Sequence, residues 1–159
     1  MSHRSIVLSL ATCAACALSL LPAGQAAGRV QTLRFFDKPV ALTLTRADGA
    51  VIKQAPYPEA RPGDVLDVYS LGYVGTHARH GKKWTASSHL QCTFRAGGPP
   101  SCVSHVAIGG SQLIISGNPG TIVNGTGIYQ GASGRVVSST EIPGVENASN
   151  VVLRIQLKA

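Results

Sequence analysis

The sequence predicts an all-β protein, and two observations support this fold class. After residue 26, no segment keeps a helical spacing of apolar residues over ten positions. Short runs rich in β-branched and aromatic residues instead recur between Gly, Pro, Asn and Asp. Eight strands are expected, at residues 32–36, 40–45, 65–74, 84–95, 103–107, 112–116, 127–138 and 151–157. Such a series fits a closed antiparallel barrel or a sandwich, which periodicity alone does not distinguish.

Alternation within single strands indicates one buried face and one exposed face. In the last strand, Leu153, Ile155 and Leu157 alternate with Arg154 and Gln156. A tight turn is predicted at residues 48–49, where Asp-Gly separates two of the runs. Three prolines within residues 56–64 predict a long loop at the rim.

The run at residues 89–94 shows the same alternation in the middle of the chain. Leu90, Cys92 and Phe94 share its apolar face. Inside a barrel, such a face belongs to the core by default and lines a ligand cavity only by hypothesis.

The amino terminus predicts a secretory signal peptide. Arg4 precedes an apolar run at residues 6–21, and small residues follow it up to Ala26. Interrupting Ser and Thr residues argue against a transmembrane helix. We therefore expect residues 1–26 to be removed and residues 27–159 to form one domain, secreted or periplasmic.

The charge pattern limits the partners that the chain can have. It carries 14 Lys and Arg against 7 Asp and Glu, a net charge of +7, and one positive charge is lost with Arg4. The basic residues are scattered, with one adjacent pair at Lys82 and Lys83. A nucleic-acid binder would cluster them on one face with aromatic residues between them. We expect neither a nucleic-acid partner nor stable insertion into a membrane.

Two cysteines, Cys92 and Cys102, remain after the expected processing. Exported compartments favour oxidation, and the Gly-Gly-Pro-Pro segment between the cysteines allows them to face each other across a hairpin. A disulfide is therefore predicted. The alternative, a zinc site, would need further ligands at metal-binding spacing, so we expect no metal and no other cofactor.

A glycine-rich segment at residues 124–136, N-G-T-G-I-Y-Q-G-A-S-G-R-V, resembles the signature of the allene oxide cyclase and dirigent barrel superfamily. Residues 62–65, 88–93 and 109–117 are similar to further segments of that superfamily. The resemblance implies a lipocalin-like, eight-stranded antiparallel barrel with an apolar cavity, frequently a homotrimer. Plant cyclases of this type close a fatty-acid epoxide into a cyclopentenone, dirigent proteins guide the coupling of phenoxy radicals, and related bacterial barrels include polyketide cyclases.

The resemblance also suggests two catalytic candidates, Asp37 and Arg135. Dirigent proteins carry a His-Asp pair at the end of the first strand, where this chain has Phe36 and Asp37. A carboxyl group in an apolar cavity can act as an acid or a base, although Asp37 also suits a turn at the end of a strand. Arg135 follows the glycine signature and could recognise a ligand carboxylate or phenolate, with an exposed strand arginine as the alternative.

Five further side chains are candidate ligand contacts. They are large residues on the expected strands, for which core packing is the alternative: Tyr69, Tyr73, Leu90, Phe94 and Tyr129. His77 and His80 lie three residues apart in a charged segment that is predicted to be a hairpin loop. We expect both side chains to be solvated there and not to bind a metal.

These observations favour an exported barrel that binds a small apolar or aromatic molecule and steers its cyclisation or coupling. Activity of this kind would be isomerase-like or dirigent, and it would rest on positioning the molecule. The first strand lacks the glutamate and asparagine of the plant cyclases, which favours a non-catalytic carrier as the alternative. A structural surface protein with a filled barrel is the third possibility.

Overall fold

The computed structural model describes residues 28–159, which form an all-β fold. The strands are β1 (Val30–Thr45), β2 (Val51–Ile52), β3 (Val65–Thr76), β4 (Arg79–His80), β5 (Ala86–Thr93), β6 (Ser101–Ile108), β7 (Ser111–Ser116), β8 (Thr121–Thr126), β9 (Ser133–Glu141) and β10 (Ser149–Gln156). A single turn of 3-10 helix follows β8 at Gly127–Tyr129. The predicted signal peptide, residues 1–26, lies outside the described residues.

Eight of the strands close into an antiparallel barrel. Their order is β1-β10-β9-β8-β7-β6-β5-β3, and pairing between β1 and β3 closes the circle. The two-residue strands β2 and β4 add short hairpins to β1 and β3. The predicted barrel is therefore confirmed, and the sandwich alternative is wrong. Within residues 28–159, no helix has the length and apolar character needed to cross a bilayer.

The first two predicted strands are one continuous strand, β1. Its first half pairs with β10 and its second half with β3, and the register shifts between Pro39 and Ala41. The sequence predicts a break between residues 36 and 40, and this segment contains Pro39, which donates no ladder hydrogen bond. A β-bulge accommodates it, since a bulge already leaves one residue of the strand unpaired.

The glycine-rich segment was predicted as one strand at residues 127–138, and that prediction is wrong in its first part. The chain forms β8 before the signature ends, turns through the 3-10 helix, and enters β9 only at Ser133. Gly127 begins the turn with a φ of 59°, a left-handed conformation that favours glycine.

The barrel interior is packed at one end. A cluster of buried side chains fills it, comprising Phe35, Ala86, Leu113, Ile115, Ile122, Tyr129, Ala132, Leu153 and Ile155. Four of these residues also form the floor of a cavity that occupies the rest of the interior, namely Phe35, Ala86, Ile115 and Leu153. The core thus supports one end of the barrel and leaves the other end hollow.

A buried carboxylate, Asp64, fixes the loop that precedes β3. It accepts hydrogen bonds from the backbone N–H of Arg61 at 2.8 Å, from the N–H of Ala47 at 3.1 Å and from the guanidinium of Arg46 at 2.5 Å. The bond from the Arg61 backbone is the largest cause that lowers the pKa of Asp64, and Arg46 adds to it. This network ties the β1–β2 hairpin to the start of β3.

Candidate functional site: the barrel cavity

The hollow end of the barrel is a cavity of about 570 Å³. Inward-facing residues of β1, β3, β5, β6, β7, β9 and β10 line it. Its exposed lining residues lie in the β7–β8 turn and towards the β9–β10 loop, which marks the mouth. Small-molecule sites in proteins commonly have volumes of roughly 300 to 1,000 Å³, so the cavity can hold one small organic molecule. Residues 56–64, predicted as a rim loop, do not line it.

The cavity wall combines aliphatic side chains with hydroxyl groups. The aliphatic part includes Leu42, Leu66, Val68, Leu90 and Val106. Serines point into the same space at positions 70, 88, 104, 138 and 149. An apolar wall with a few convergent polar groups is typical of sites that fix the orientation of a small ligand.

Asp37 supplies a carboxyl group to this wall. It lies within β1, opposite Gly72 of β3 on one side and Ser149 of β10 on the other. Burial raises its pKa, and hydrogen bonds from the hydroxyls of Ser70 and Ser88 act in the opposite direction. A carboxyl group whose pKa is raised by burial can donate or accept a proton closer to neutral pH than an exposed aspartate can.

The predicted disulfide is confirmed. Cys92 and Cys102 face each other directly across the β5–β6 ladder, and their sulfur atoms are bonded. Both residues also line the cavity, so the disulfide is part of its wall. Neither sulfur is available as a thiolate nucleophile while the bond is intact.

The other predicted site residues lie in different parts of the molecule. Leu90 lines the cavity together with Asp37, whereas Arg135 projects from the outer surface of β9 opposite Arg154. Phe94 follows the end of β5 and is half-buried outside the lining. Tyr129 is 2% exposed and packs in the core at the closed end.

Two predicted ligand contacts, Tyr69 and Tyr73, project from the outer face of β3. Tyr69 is 47% exposed and stacks on His89, with ring centroids 4.3 Å apart. Tyr73 packs against Phe36 and His80 on the outside of the barrel. The structure therefore brings Asp37, Leu90 and the disulfide together, and it leaves Arg135 and the three tyrosines away from the cavity.

Sequence reasoning missed the cavity hydroxyls and a second acid, Glu141, which also lines the cavity. Ser70, Ser88 and Ser149 occupy inward positions on three different strands. The signal that could have identified them is a small polar residue placed in register with the apolar face of its strand, as Ser88 is with Leu90.

Replacing Asp37 with asparagine is expected to stabilise the fold at neutral pH. Burial raises the pKa of Asp37, so the folded state binds its proton more tightly than the unfolded state does. The free energy of unfolding therefore falls as pH rises from 3.8, the ordinary pKa of an aspartate, through the raised pKa. Asparagine carries no charge to bury, so Asp37→Asn should be more stable than wild type at pH 7 and lose this advantage at pH 3.

Urea unfolding of wild type and Asp37→Asn across this pH range measures the effect. Glu146→Gln is the control, because Glu146 is exposed in the β9–β10 loop. A variant that is less stable than wild type at pH 7, with the deficit vanishing in acid, would show that the fold stabilises the Asp37 carboxylate and would contradict the prediction.

The fold is similar to those of three solved structures of low sequence identity. A pyocyanin demethylase has a TM-score of 0.56 at 13% identity, with 79% of this chain and 100% of that chain covered. Two pterocarpan synthase dirigent proteins have TM-scores of 0.58 and 0.56 at 16% and 15% identity. They cover 81% and 82% of this chain, and 89% and 95% of their own.

No protein-family model and no curated protein sequence matches the chain. At these identities the structural likeness establishes architecture and not activity. The chain therefore has a dirigent-like eight-stranded barrel fold.

Proposed function

We propose that this protein is an exported barrel that binds a small apolar or aromatic molecule in its cavity and steers its cyclisation or coupling. The observation that carries the proposal is Asp37, a carboxyl group with a raised pKa on the wall of a cavity of about 570 Å³. The names of the structural neighbours, a demethylase and two dirigent synthases, support a small molecule as the partner. The disulfide supports export, since such bonds persist in oxidising compartments.

In a cyclisation, the cavity would act mainly by holding the ligand in one reactive conformation. The Asp37 carboxyl would donate its proton to a ligand oxygen, either one that departs as a leaving group or one that becomes negatively charged during ring closure. The resulting carboxylate would take a proton from the attacking hydroxyl of the same molecule, so protons balance without a co-reactant. The hydroxyls of Ser70 and Ser88, which hydrogen-bond Asp37, would hold its carboxyl group in place.

A non-catalytic carrier is the second candidate. It is favoured by the partners of Asp37, which are the hydroxyls of Ser70 and Ser88 and not a second titratable group. A carrier would use the same cavity and the same apolar wall, but it would need no proton transfer.

The test is native mass spectrometry of protein isolated gently from its producer, followed by organic extraction of the bound molecule. We expect a retained aromatic compound of a size that fits the cavity. Its precursor is then incubated with wild type, Asp37→Asn and the surface control Glu146→Gln. Loss of product formation in Asp37→Asn alone, with ligand still bound, supports catalysis.

Product formation no faster with any of the three proteins than without protein, while ligand is still bound, would favour the carrier. A barrel that retains no molecule and binds none of its producer's aromatic compounds would contradict the proposed function.

We further propose that the chain belongs to the allene oxide cyclase and dirigent superfamily as a bacterial-type member, that residues 1–26 are cleaved on export, and that the barrel is a homotrimer. Exposed apolar side chains on the outer face, including Val103 of β6 and Val123 of β8, support self-association. The same native mass spectra report the processed mass and the number of subunits.

A further inference from the structure

The cavity has the opposite charge balance from the rest of the chain. Among residues 28–159, its lining contains two acidic residues, Asp37 and Glu141, and no Lys, Arg or His. The whole chain has twice as many basic as acidic residues, 14 against 7. The cavity therefore offers a cationic ligand two carboxyl groups that can ionise beside it, together with hydroxyl groups, and it offers an anion no basic side chain.

The two acids belong to one strip of the cavity wall. Ser149 of β10 lies opposite Asp37 of β1 on one side and opposite Glu141 of β9 on the other. Neighbouring strands are about 4.8 Å apart, so the Cα atoms of the two acids are separated by roughly 10 Å. A single small ligand can face both carboxyl groups, with the Ser149 hydroxyl between them.

We propose that the ligand of the cavity is a small, mostly apolar molecule with a positively charged nitrogen, and that this nitrogen faces the strip formed by Asp37, Ser149 and Glu141. The inference rests on the proposed function and names its ligand class. A buried charge is tolerated when an opposite charge and hydrogen-bonding groups accompany it, and this wall provides both for a cation. A carboxylate in the same position would face two acids, and the cavity lining has no basic side chain to compensate.

The basic exterior opposes the approach of a cation only weakly. Its charges act through solvent, where they are screened over about 8 Å at physiological ionic strength. The Asp37 carboxyl lies inside the cavity, where screening is weaker and a direct contact is stronger. The local acids therefore determine which ligand charge is preferred.

Three probes of nearly equal size test the inference: 2-naphthylmethylamine, which is a cation at pH 7, neutral 2-naphthylmethanol and anionic 2-naphthoate. Dissociation constants are measured by calorimetry or naphthalene fluorescence. We expect the cation to bind at least about tenfold more tightly than the alcohol, a difference of roughly 1.4 kcal/mol, and the carboxylate to bind most weakly.

Asp37→Asn should remove most of the preference for the cation over the alcohol. Glu141→Gln, at the mouth, should reduce the preference by a smaller factor, and it keeps the test valid if Asp37→Asn does not fold. The control Glu146→Gln should bind all three probes as wild type does.

The outcomes separate this inference from the proposed function. Equal affinity for the three probes, or tightest binding of the carboxylate, overturns the cationic ligand and leaves the binding cavity in place. Failure of every probe to bind overturns the binding cavity, and the ligand class with it.

Discussion

Replacing Gly134 with alanine is expected to lower the free energy of unfolding by about 3 kcal/mol. Gly134 lies in β9 with a φ of 148°, and an added Cβ would collide with the carbonyl oxygen of Arg154 on β10. The obstacle is the backbone of the paired strand, and Gly134 itself lies between Ile122 of β8 and the completely buried Ile155 of β10. The clash can therefore be relieved only by separating β9 from β10. Urea unfolding followed by circular dichroism measures the loss.

Gly98→Ala is the matched control for this substitution. Gly98 lies in the β5–β6 hairpin, and an added Cβ there would meet nothing within 4 Å. Its substitution should change stability by about 0.5 kcal/mol or less, as expected for an open surface site. Equal stabilities of the two variants would contradict the prediction, because they would show that β9 and β10 can move apart to accommodate the added Cβ at little cost in free energy.

The fold class was predictable because strand periodicity and turn residues act locally. The alternation of Leu153 and Ile155 with Arg154 identified β10, and Asp-Gly at residues 48–49 identified the turn after β1. The errors occurred where tertiary structure overrides a local signal. Pro39 is accommodated by a bulge. No strand was predicted where β8 lies, and β8 leads into glycines that form a turn and not a strand.

Within the site, the sequence identified Asp37 as a candidate but not its surroundings. Apolar patterning assumes that the inner face of a strand is its more hydrophobic face. On β3, the inner face carries Leu66 and Val68 and then Ser70 and Gly72, all of which line the cavity, while aromatic residues occupy the outer face. A hollow interior needs small polar side chains, so hydrophobicity assigned the tyrosines to the inside and overlooked the serines.

Reduction of the Cys92–Cys102 disulfide is expected to lower the free energy of unfolding by about 2 to 3 kcal/mol. The bond closes a short loop, with a sequence separation of 10, and its main effect is to restrict the unfolded chain. The native ladder should survive reduction, because backbone pairing already holds β5 against β6 on both sides of the bond. Urea unfolding with and without reductant gives the difference, and far-ultraviolet circular dichroism should be unchanged before unfolding.

The double variant Cys92→Ala, Cys102→Ala is the control for this measurement. It should match the reduced wild type to within about 1 kcal/mol, since it also loses the packing of two sulfur atoms, and it should not respond to reductant. Both cysteines line the cavity, so the variant should also hold a slightly larger ligand than wild type does. A wild type that titrates with two free thiols when denatured without reductant, or whose stability does not respond to reductant, would contradict the disulfide in solution.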